Sequence, residues 1–187
     1  MSWSIRCTAF VTLFILPVAV PGQAHSGVWT TFSAGRGDVQ VNCNICRGVE
    51  QSSWAADVAV GAWVSPRTTL GGELAAWRFG GDEATQRVML LSVIGQRYPF
   101  KLPAFVKLGA GLMNYSSTDG DQSLAATSLA LQAGVGVDIP VAGRYIVVPH
   151  ATLVQGVNGG LYLDDTRVTG WSRVRLLRLG LGVGMGR

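Results

Sequence analysis

Five segments of the chain alternate apolar residues with glycine, small and charged residues, and this period of two predicts β-strands. The segments are residues 54–64, 69–79, 105–115, 129–138 and 177–185. In the last of them, Leu177, Leu179, Leu181, Val183 and Met185 alternate with Arg178, Gly180, Gly182 and Gly184. Each segment therefore predicts a strand with one aliphatic face and one face of glycine, small and charged residues.

The second face distinguishes a membrane barrel from a soluble one. A soluble barrel turns its large aliphatic side chains inward and keeps its charges outside. Here the charges lie between glycines, which would leave room for them in a narrow lumen and would explain why 25 of the 187 residues are glycine. We therefore expect the aliphatic faces to contact lipid. The predicted lumenal charge network consists of Asp57, Glu73, Lys107, Asp138 and Arg178, and we expect these side chains to pair, because unpaired buried charges are costly.

Three less regular segments bring the number of predicted strands to about eight. Residues 27–37 predict a first strand, residues 88–97 are apolar on both faces, and residues 145–154 contain Pro149, which usually marks an edge or a bulge. Short connectors at 65–67, 99–103 and 140–144 alternate with mostly longer polar connectors at 38–53, 80–86, 116–123 and 156–170. This alternation is typical of an all-β, antiparallel up-and-down transmembrane β-barrel whose short turns face the periplasm.

Aromatic residues fall near both ends of the predicted strands. Trp54, Trp77, Tyr115 and Trp171 lie near the polar connectors, and Trp63, Tyr98 and Tyr145 lie near the short turns. Rings with an apolar body and a polar tip are favoured at the depth where a membrane meets water. We therefore predict that these residues are interface aromatics in two belts.

Residues 1–24 have the pattern of a secretory signal peptide, which leaves residues 25–187 as one barrel domain. Arg6 precedes an apolar stretch, and small residues near Ala24 indicate cleavage after that position. The exported chain would reach an oxidising compartment, where Cys43 and Cys46 predict a small loop disulfide. A redox pair would need a helix N-terminus and a zinc site about four ligands, and the surroundings provide neither.

The net charge of +4 comes from basic residues that are scattered along the chain, so no nucleic-acid partner is predicted. Acidic pairs at Asp119 and Asp121 and at Asp164 and Asp165 are interpreted as solvated turns. We predict no metal ion and no other cofactor.

Three local patterns resemble the outer-membrane β-barrel superfamily of OmpA/OmpX-type small eight-stranded barrels. They are QRYPF at 96–100 followed by FVKLGAG at 105–111, AGVGVD at 133–138, and LGLGV at 179–183. The resemblance implies a monomer in the cell outer membrane, surrounded by outer-membrane lipid and inserted by the barrel-insertion machinery. The chain departs from the family's usual aromatic final residue, since it ends in Gly184-Met185-Gly186-Arg187.

The leading functional hypothesis is a non-enzymatic barrel with a structural, adhesion or small-solute role, whose filled lumen gives no porin-size conductance. Some barrels of this size are lipid A deacylases or palmitoyl transferases. His150-Ala151-Thr152 is distantly similar to the His-x-Ser of the deacylases, but Thr152 replaces the serine and Leu153 the following asparagine. A lipid-modifying enzyme that uses His150 is therefore one alternative. A soluble periplasmic lipocalin-like binder is another.

Overall fold

The alternating segments fold as antiparallel strands that close into a barrel. The computed structural model describes residues 27–43, 49–81, 84–99, 102–119, 122–163 and 166–185, and within these ranges it contains nine strands. They are β1 (Val28–Cys43), β2 (Val49–Ser65), β3 (Thr68–Gly80), β4 (Thr85–Arg97), β5 (Ala104–Asp119), β6 (Gln122–Val137), β7 (Ile139–Ala142), β8 (Tyr145–Leu163) and β9 (Thr166–Met185).

Eight long strands form the wall. Successive strands pair from β1 to β6, β6 pairs with β8, β8 with β9, and β9 with β1, which closes the ring. The four-residue strand β7 continues the line of β6 and pairs with the start of β8. The predicted antiparallel up-and-down barrel of eight strands is thereby confirmed.

No helix long and apolar enough to cross a membrane occurs in the part of the chain that the structure describes.

The two ends of the barrel differ in their connections. At one end, which we call the short-turn end, strands are joined at Pro66 and Arg67, at residues 98–103, and at Gly143, whose φ of 54° suits glycine in the turn. The first and last strands also meet there, since Thr30 of β1 lies opposite Met185 of β9. The opposite end, the hairpin end, carries the four connections that were predicted as polar loops.

Most of the predicted polar loops are strand. β1 continues to Cys43 and β2 begins at Val49, so both strands extend into the predicted loop 38–53. β8 and β9 likewise reach Leu163 and Thr166 inside the predicted loop 156–170. The period of two in fact continues past Gly37, because buried Val39 and Val41 alternate with Asp38 and Gln40. Packing of these valines inside the barrel extends the hairpins.

Pro149 interrupts the ladder inside the closed wall. The pairing of β6 with β8 ends at Gly136 opposite His150, and the pairing of β7 with β8 begins at Ile139 opposite Val147. Proline has no N–H to donate to the ladder at this point. Pro149 nevertheless lies opposite Leu181 of β9, so it marks an irregularity and not an edge.

Side chains are sorted by parity into an outer and an inner set. Large apolar side chains face the exterior; they include Phe32, Val60, Leu91, Leu108, Leu131 and Leu181. Charged side chains such as Glu73, Lys107 and Arg178 are almost completely buried in the lumen. β4, whose parity the sequence leaves open, turns Leu91 outward and Leu90 and Ser92 inward.

The lumen is filled in three layers. Near the hairpin end lies a layer of large apolar side chains, the apolar plug, formed by Val39, Trp77, Leu90, Met113, Val154 and Leu176. Near the short-turn end, Trp29, Trp63, Tyr98, Phe105, Ile146 and Val148 form an aromatic layer. Polar and charged side chains lie between these two layers.

Lumenal glycines make room for one large side chain on the neighbouring strand. A Cβ at Gly109 would lie 2.7 Å from the Val93 carbonyl oxygen and 2.8 Å from Gln132 Nε2. Gln132 lies directly opposite Gly109 and donates a 2.7 Å hydrogen bond to Ser92 Oγ. Phe105 likewise lies opposite Gly136, and His150 lies opposite Gly180. Each side chain occupies the space that a Cβ at the glycine would need.

A leucine at position 109 is therefore expected to destabilise the barrel by about 1–3 kcal/mol, because it overpacks the lumen and displaces Gln132. Urea unfolding of the folded barrel in detergent measures the loss. Gly72→Leu is the matched control, since a Cβ there meets only the Ser92 carbonyl oxygen, at 3.9 Å. Equal losses in both variants would contradict the steric explanation.

Candidate functional site

The middle layer of the lumen contains a linear chain of four alternating charges. Arg178 Nη1 donates a hydrogen bond of 2.9 Å to Asp57 Oδ1, and Nη2 donates one of 2.6 Å to Glu73 Oε1. The other carboxylate oxygen of Glu73 accepts a hydrogen bond of 2.7 Å from Lys107 Nζ. The order is therefore Asp57–Arg178–Glu73–Lys107, and the four formal charges cancel. We call this chain the ionic layer.

The ionic layer connects strands that are not neighbours in the wall. Glu73 is on β3 and Lys107 on β5, with β4 between them, while Arg178 reaches Glu73 from β9 past β1 and β2. All four side chains point inward because they share the parity of the lumenal face. Buried ion pairs offset their desolvation only when geometry and hydrogen bonding are good. The short distances meet the geometric part of that requirement, and the bonds hold distant parts of the wall together. Nε of Arg178 is buried without a hydrogen-bond partner among the described residues.

His150 extends the ionic layer at its acidic end. Its Nε2 lies 3.6 Å from Asp57 Oδ1, and Nδ1 lies 3.4 Å from the Val148 carbonyl oxygen. Both side chains border a cavity of about 30 Å³ on the short-turn side of the ionic layer. A water molecule needs at least about 10–15 Å³ measured in this way, so the cavity has room for about two waters and none for a lipid or sugar.

Asp138, the fifth residue of the predicted network, is buried and borders the same cavity as Asp57, Glu73 and Lys107. Its Oδ2 accepts a 2.8 Å hydrogen bond from the hydroxyl of Tyr98. The structure therefore brings together four of the five predicted charges and gives Asp138 an aromatic partner nearer the short turns. Sequence reasoning missed this pair because it assigned Tyr98 to a membrane interface.

Four of the predicted interface aromatics are corrected by the structure. Trp77 is 1% exposed and Tyr115 is 4% exposed, and both pack in or against the apolar plug. Tyr98 is buried, and half-buried Trp63 packs against it in a tilted arrangement with ring centroids 5.2 Å apart. Parity is the reason: Trp77 shares a face with Glu73, and Tyr115 shares one with Lys107. A position near a strand end does not by itself turn a ring outward.

Of the other three predicted interface aromatics, two face the exterior and one has a side chain that the structure does not describe. Trp54 is 78% exposed and Tyr145 is 49% exposed, so both rings face the exterior at opposite ends of the barrel. The side chain of Trp171 lies outside the described residues. Trp77, although lumenal, uses its polar tip in the interior, where Nε1 donates a 2.8 Å hydrogen bond to the Gly37 carbonyl oxygen.

Two further predictions fall on parts of the chain that the structure does not describe. Cys46 and the side chain of Cys43 lie outside the described residues, so the loop disulfide stays a prediction. The signal peptide at residues 1–24 also lies outside them. Among the described residues, no group of three or more histidine, cysteine, aspartate or glutamate side chains is arranged to hold a metal ion.

The apolar plug is a feature that sequence reasoning missed. Val39 lies in a segment that the sequence predicts as a polar loop. Leu90 lies in a segment that is apolar on both faces, so the sequence does not show which of its residues point inward. The signal was present in the sequence, since Val39 and Val41 continue the period of two of β1. The plug closes the lumen on the side of the long hairpins.

Comparison with solved structures shows the same fold in two outer-membrane proteins. The chain is similar to Neisserial surface protein A, with a TM-score of 0.58 and 14% sequence identity over 88% of this chain and 100% of that one. It is also similar to Ail, the attachment invasion locus protein of Yersinia pestis, with a TM-score of 0.54 and 16% identity over 84% of this chain and 98% of that one. Ail bound to the heparin analogue sucrose octasulfate gives a TM-score of 0.57 at 17% identity, over 84% of this chain and 99% of that one.

No protein-family model and no curated protein sequence matches the chain. The similarity therefore lies in the backbone architecture, an eight-stranded barrel that the chain shares with these two proteins.

Proposed function

We propose that this chain is a non-enzymatic protein of a bacterial outer membrane, which presents its long hairpins to the outside and conducts no solute through its lumen. Residues 1–24 would export it, and the short turns would face the periplasm, as in outer-membrane barrels generally. Outer-membrane lipid would surround the aliphatic exterior, and the barrel-insertion machinery would place a monomer there.

The filled lumen is the observation that carries this proposal. The apolar plug, the ionic layer and the aromatic layer lie in series along the interior, and the cavity beside the ionic layer has a volume of only about 30 Å³. Eight-stranded barrels have interiors just wide enough for side chains to fill. A role in envelope structure or surface attachment is therefore favoured over passage of small solutes.

The distribution of exposed residues argues against a soluble lipocalin-like binder. Leu108 and Leu181 are more than 60% exposed, whereas Glu73 and Arg178 are only 2% exposed. A soluble barrel requires the opposite arrangement, because exposed apolar area is costly in water and buried charge is costly in the interior.

The environment of His150 favours a structural role over catalysis. Its ring is held between Asp57 and the Val148 carbonyl oxygen, and the lumenal cavity of about 30 Å³ that it borders cannot admit a lipid. His150 also borders an apolar groove of about 760 Å³ beside the outward residues Leu179 and Leu181, but its ring nitrogens are directed at Asp57 and Val148. A hydrolase that used this histidine would need a nucleophile in hydrogen-bond reach and space for its substrate. We therefore expect His150→Ala to leave the composition of lipid A in producing cells unchanged. A change in acyl-chain number between cells with the wild-type protein and cells with the variant would support the enzyme instead.

Planar-bilayer recording tests the closed lumen. The purified, heat-modifiable barrel is expected to give no steady conductance steps, because the apolar plug excludes hydrated ions. A porin recorded in the same membranes serves as the positive control. Reproducible large steps from the folded barrel would contradict the proposed function and favour a channel.

Recovery from cell fractions tests the proposed location separately. The protein should sediment with washed outer membranes and migrate differently on gels with and without heating. Recovery in the periplasmic wash without detergent would favour the lipocalin-like binder.

A further inference from the structure

An arc of exposed arginines borders the aliphatic exterior at the hairpin end. On β1, β3, β4 and β9, the outward apolar residues end at an arginine on the side of the hairpins. These arginines are Arg36, Arg78, Arg87 and Arg175, next to the outward residues Ala34, Ala76, Met89 and Leu177. Arg173 is the next outward residue on β9. We call Arg36, Arg78, Arg87, Arg173 and Arg175 the arginine arc.

The strand register places Arg36, Arg78 and Arg87 in one row. Arg36 of β1 lies opposite Trp54 of β2, Trp54 opposite Arg78 of β3, and Arg78 opposite Arg87 of β4. Neighbouring strands are about 4.8 Å apart, so the row from Arg36 to Arg87 covers roughly 14 Å of the wall. Arg175 and Arg173 extend the arc toward the hairpin end on β9, because they lie opposite Gln40 and Asn42 of β1 whereas Arg36 lies opposite Leu179.

On β5, β6 and β8, the described side chains at the same boundary are uncharged. Asn114 of β5 donates a 3.0 Å hydrogen bond to Thr127 of β6, and Gln155 takes the position that follows Leu153 on β8. On β9 and β1–β4, the described carboxylates of the outward face near the arc are Asp38 and Glu50, fewer than the five arginines. Among the described residues, the boundary of the aliphatic exterior at the hairpin end is therefore cationic on one side of the barrel and uncharged on the other.

The position of Arg78 opposite Arg87 is unfavourable for the barrel taken alone. Like charges directly opposite each other destabilise an antiparallel pair. A phosphate group between the two guanidinium groups would replace this repulsion with charge-assisted hydrogen bonds, for which the planar fork of arginine is well suited. Arg36 is already oriented, since its Nε donates a 2.8 Å hydrogen bond to Ser52 Oγ.

We propose that the arginine arc binds the phosphate groups of lipid headgroups in the membrane leaflet at the hairpin end. This inference rests on the membrane location in the proposed function. The arc lies where the aliphatic band gives way to polar residues, which is the depth of lipid headgroups, and exposed Trp54 between Arg36 and Arg78 is a typical interface residue. A headgroup with two phosphates fits a row of cations better than one with a single phosphate.

Native mass spectrometry of the purified barrel with added diphosphoryl lipid A tests the proposal. Heat-modifiable migration is established first, so that a failure of the barrel assignment is seen before any lipid is added. The double variant Arg78→Gln and Arg87→Gln is expected to reduce the lipid-bound fraction at least about tenfold, since each charged hydrogen bond contributes more than one decade of affinity. The control Arg67→Gln with Arg97→Gln removes two exposed arginines at the short-turn end and should change binding less than about twofold.

Three results would overturn the proposal. They are unchanged binding in the arc variant, an equal loss in the control variant, and equal binding of lipid A from which both phosphates have been removed. Displacement of the lipid by an equal concentration of inorganic phosphate would assign the arc to a free anion and overturn the lipid assignment. Retention of the lipid under that challenge would support it.

Discussion

Replacing Arg178 with alanine is expected to destabilise the folded barrel by about 3–5 kcal/mol. The guanidinium group donates to both Asp57 and Glu73, and all three side chains are buried. Its removal leaves the carboxylate of Asp57 without a lysine or arginine at salt-bridge distance among the described residues, and the ring of His150 at 3.6 Å is the remaining nearby nitrogen. A buried charge that has lost its partner retains its full desolvation penalty.

Urea unfolding in detergent, followed by heat-modifiable migration and tryptophan fluorescence, measures this loss. Arg97→Ala is the matched control, because Arg97 is exposed at the short-turn end and should change stability by less than about 0.5 kcal/mol. Similar values for the two variants would mean that Arg178 is not in the lumenal pairs described here.

A fourfold replacement separates charge from packing in the same layer. Asp57→Leu, Glu73→Met, Lys107→Met and Arg178→Met together remove every charge of the ionic layer while keeping its approximate volume. Buried ion pairs are often replaced by apolar side chains at little cost, so the combined variant should be more stable than Arg178→Ala alone. A larger loss in the combined variant would show that the ionic layer stabilises the barrel beyond the neutralisation of its own charges.

Introducing arginine at Leu108 is expected to cost about 2–4 kcal/mol in a lipid bilayer, which is the range for a cation near the membrane midplane. Leu108 is 62% exposed on the outward face of β5, between Val106 and Ala110. In water, the same substitution at an exposed position would be nearly neutral. The substitution therefore tests whether lipid covers the aliphatic exterior.

Folding into liposomes across a urea series measures the effect. Thr118→Arg is the control on the same strand and face, because Thr118 is exposed at the hairpin end and should cost about 0–1 kcal/mol. Equal and small effects at the two positions would mean that water, and not lipid, surrounds Leu108.

The sidedness of the strands was predictable from the sequence because alternation is a local property. Once a chain is extended, residues two positions apart share a face, so the inward direction of Glu73, Lys107 and Arg178 followed from their neighbours alone. The same rule also contained the correct directions of Trp77 and Tyr115. The prediction that these rings face the membrane interface is wrong because it used their distance from a strand end and not the parity of their positions.

The extent of the hairpins was harder to predict because it depends on packing across the lumen. Val39 and Val41 stand among polar residues, and their alternation is too short to distinguish a strand from a loop. Inside the barrel they contact the large side chains of the apolar plug contributed by other strands. Burial against those side chains offsets the entropy of ordering the hairpin.

The sequence alone determined that the chain forms strands, which face of the five alternating segments is aliphatic, and which charges lie inside. Only the tertiary structure decided that Arg178 bonds Asp57 and Glu73, that Asp138 bonds Tyr98 instead, and that arginines of neighbouring strands stand in one arc. These contacts depend on the stagger between strands when the sheet closes on itself, because that stagger sets which levels of distant strands meet. A period of two specifies the direction of each side chain but contains no information about its partner.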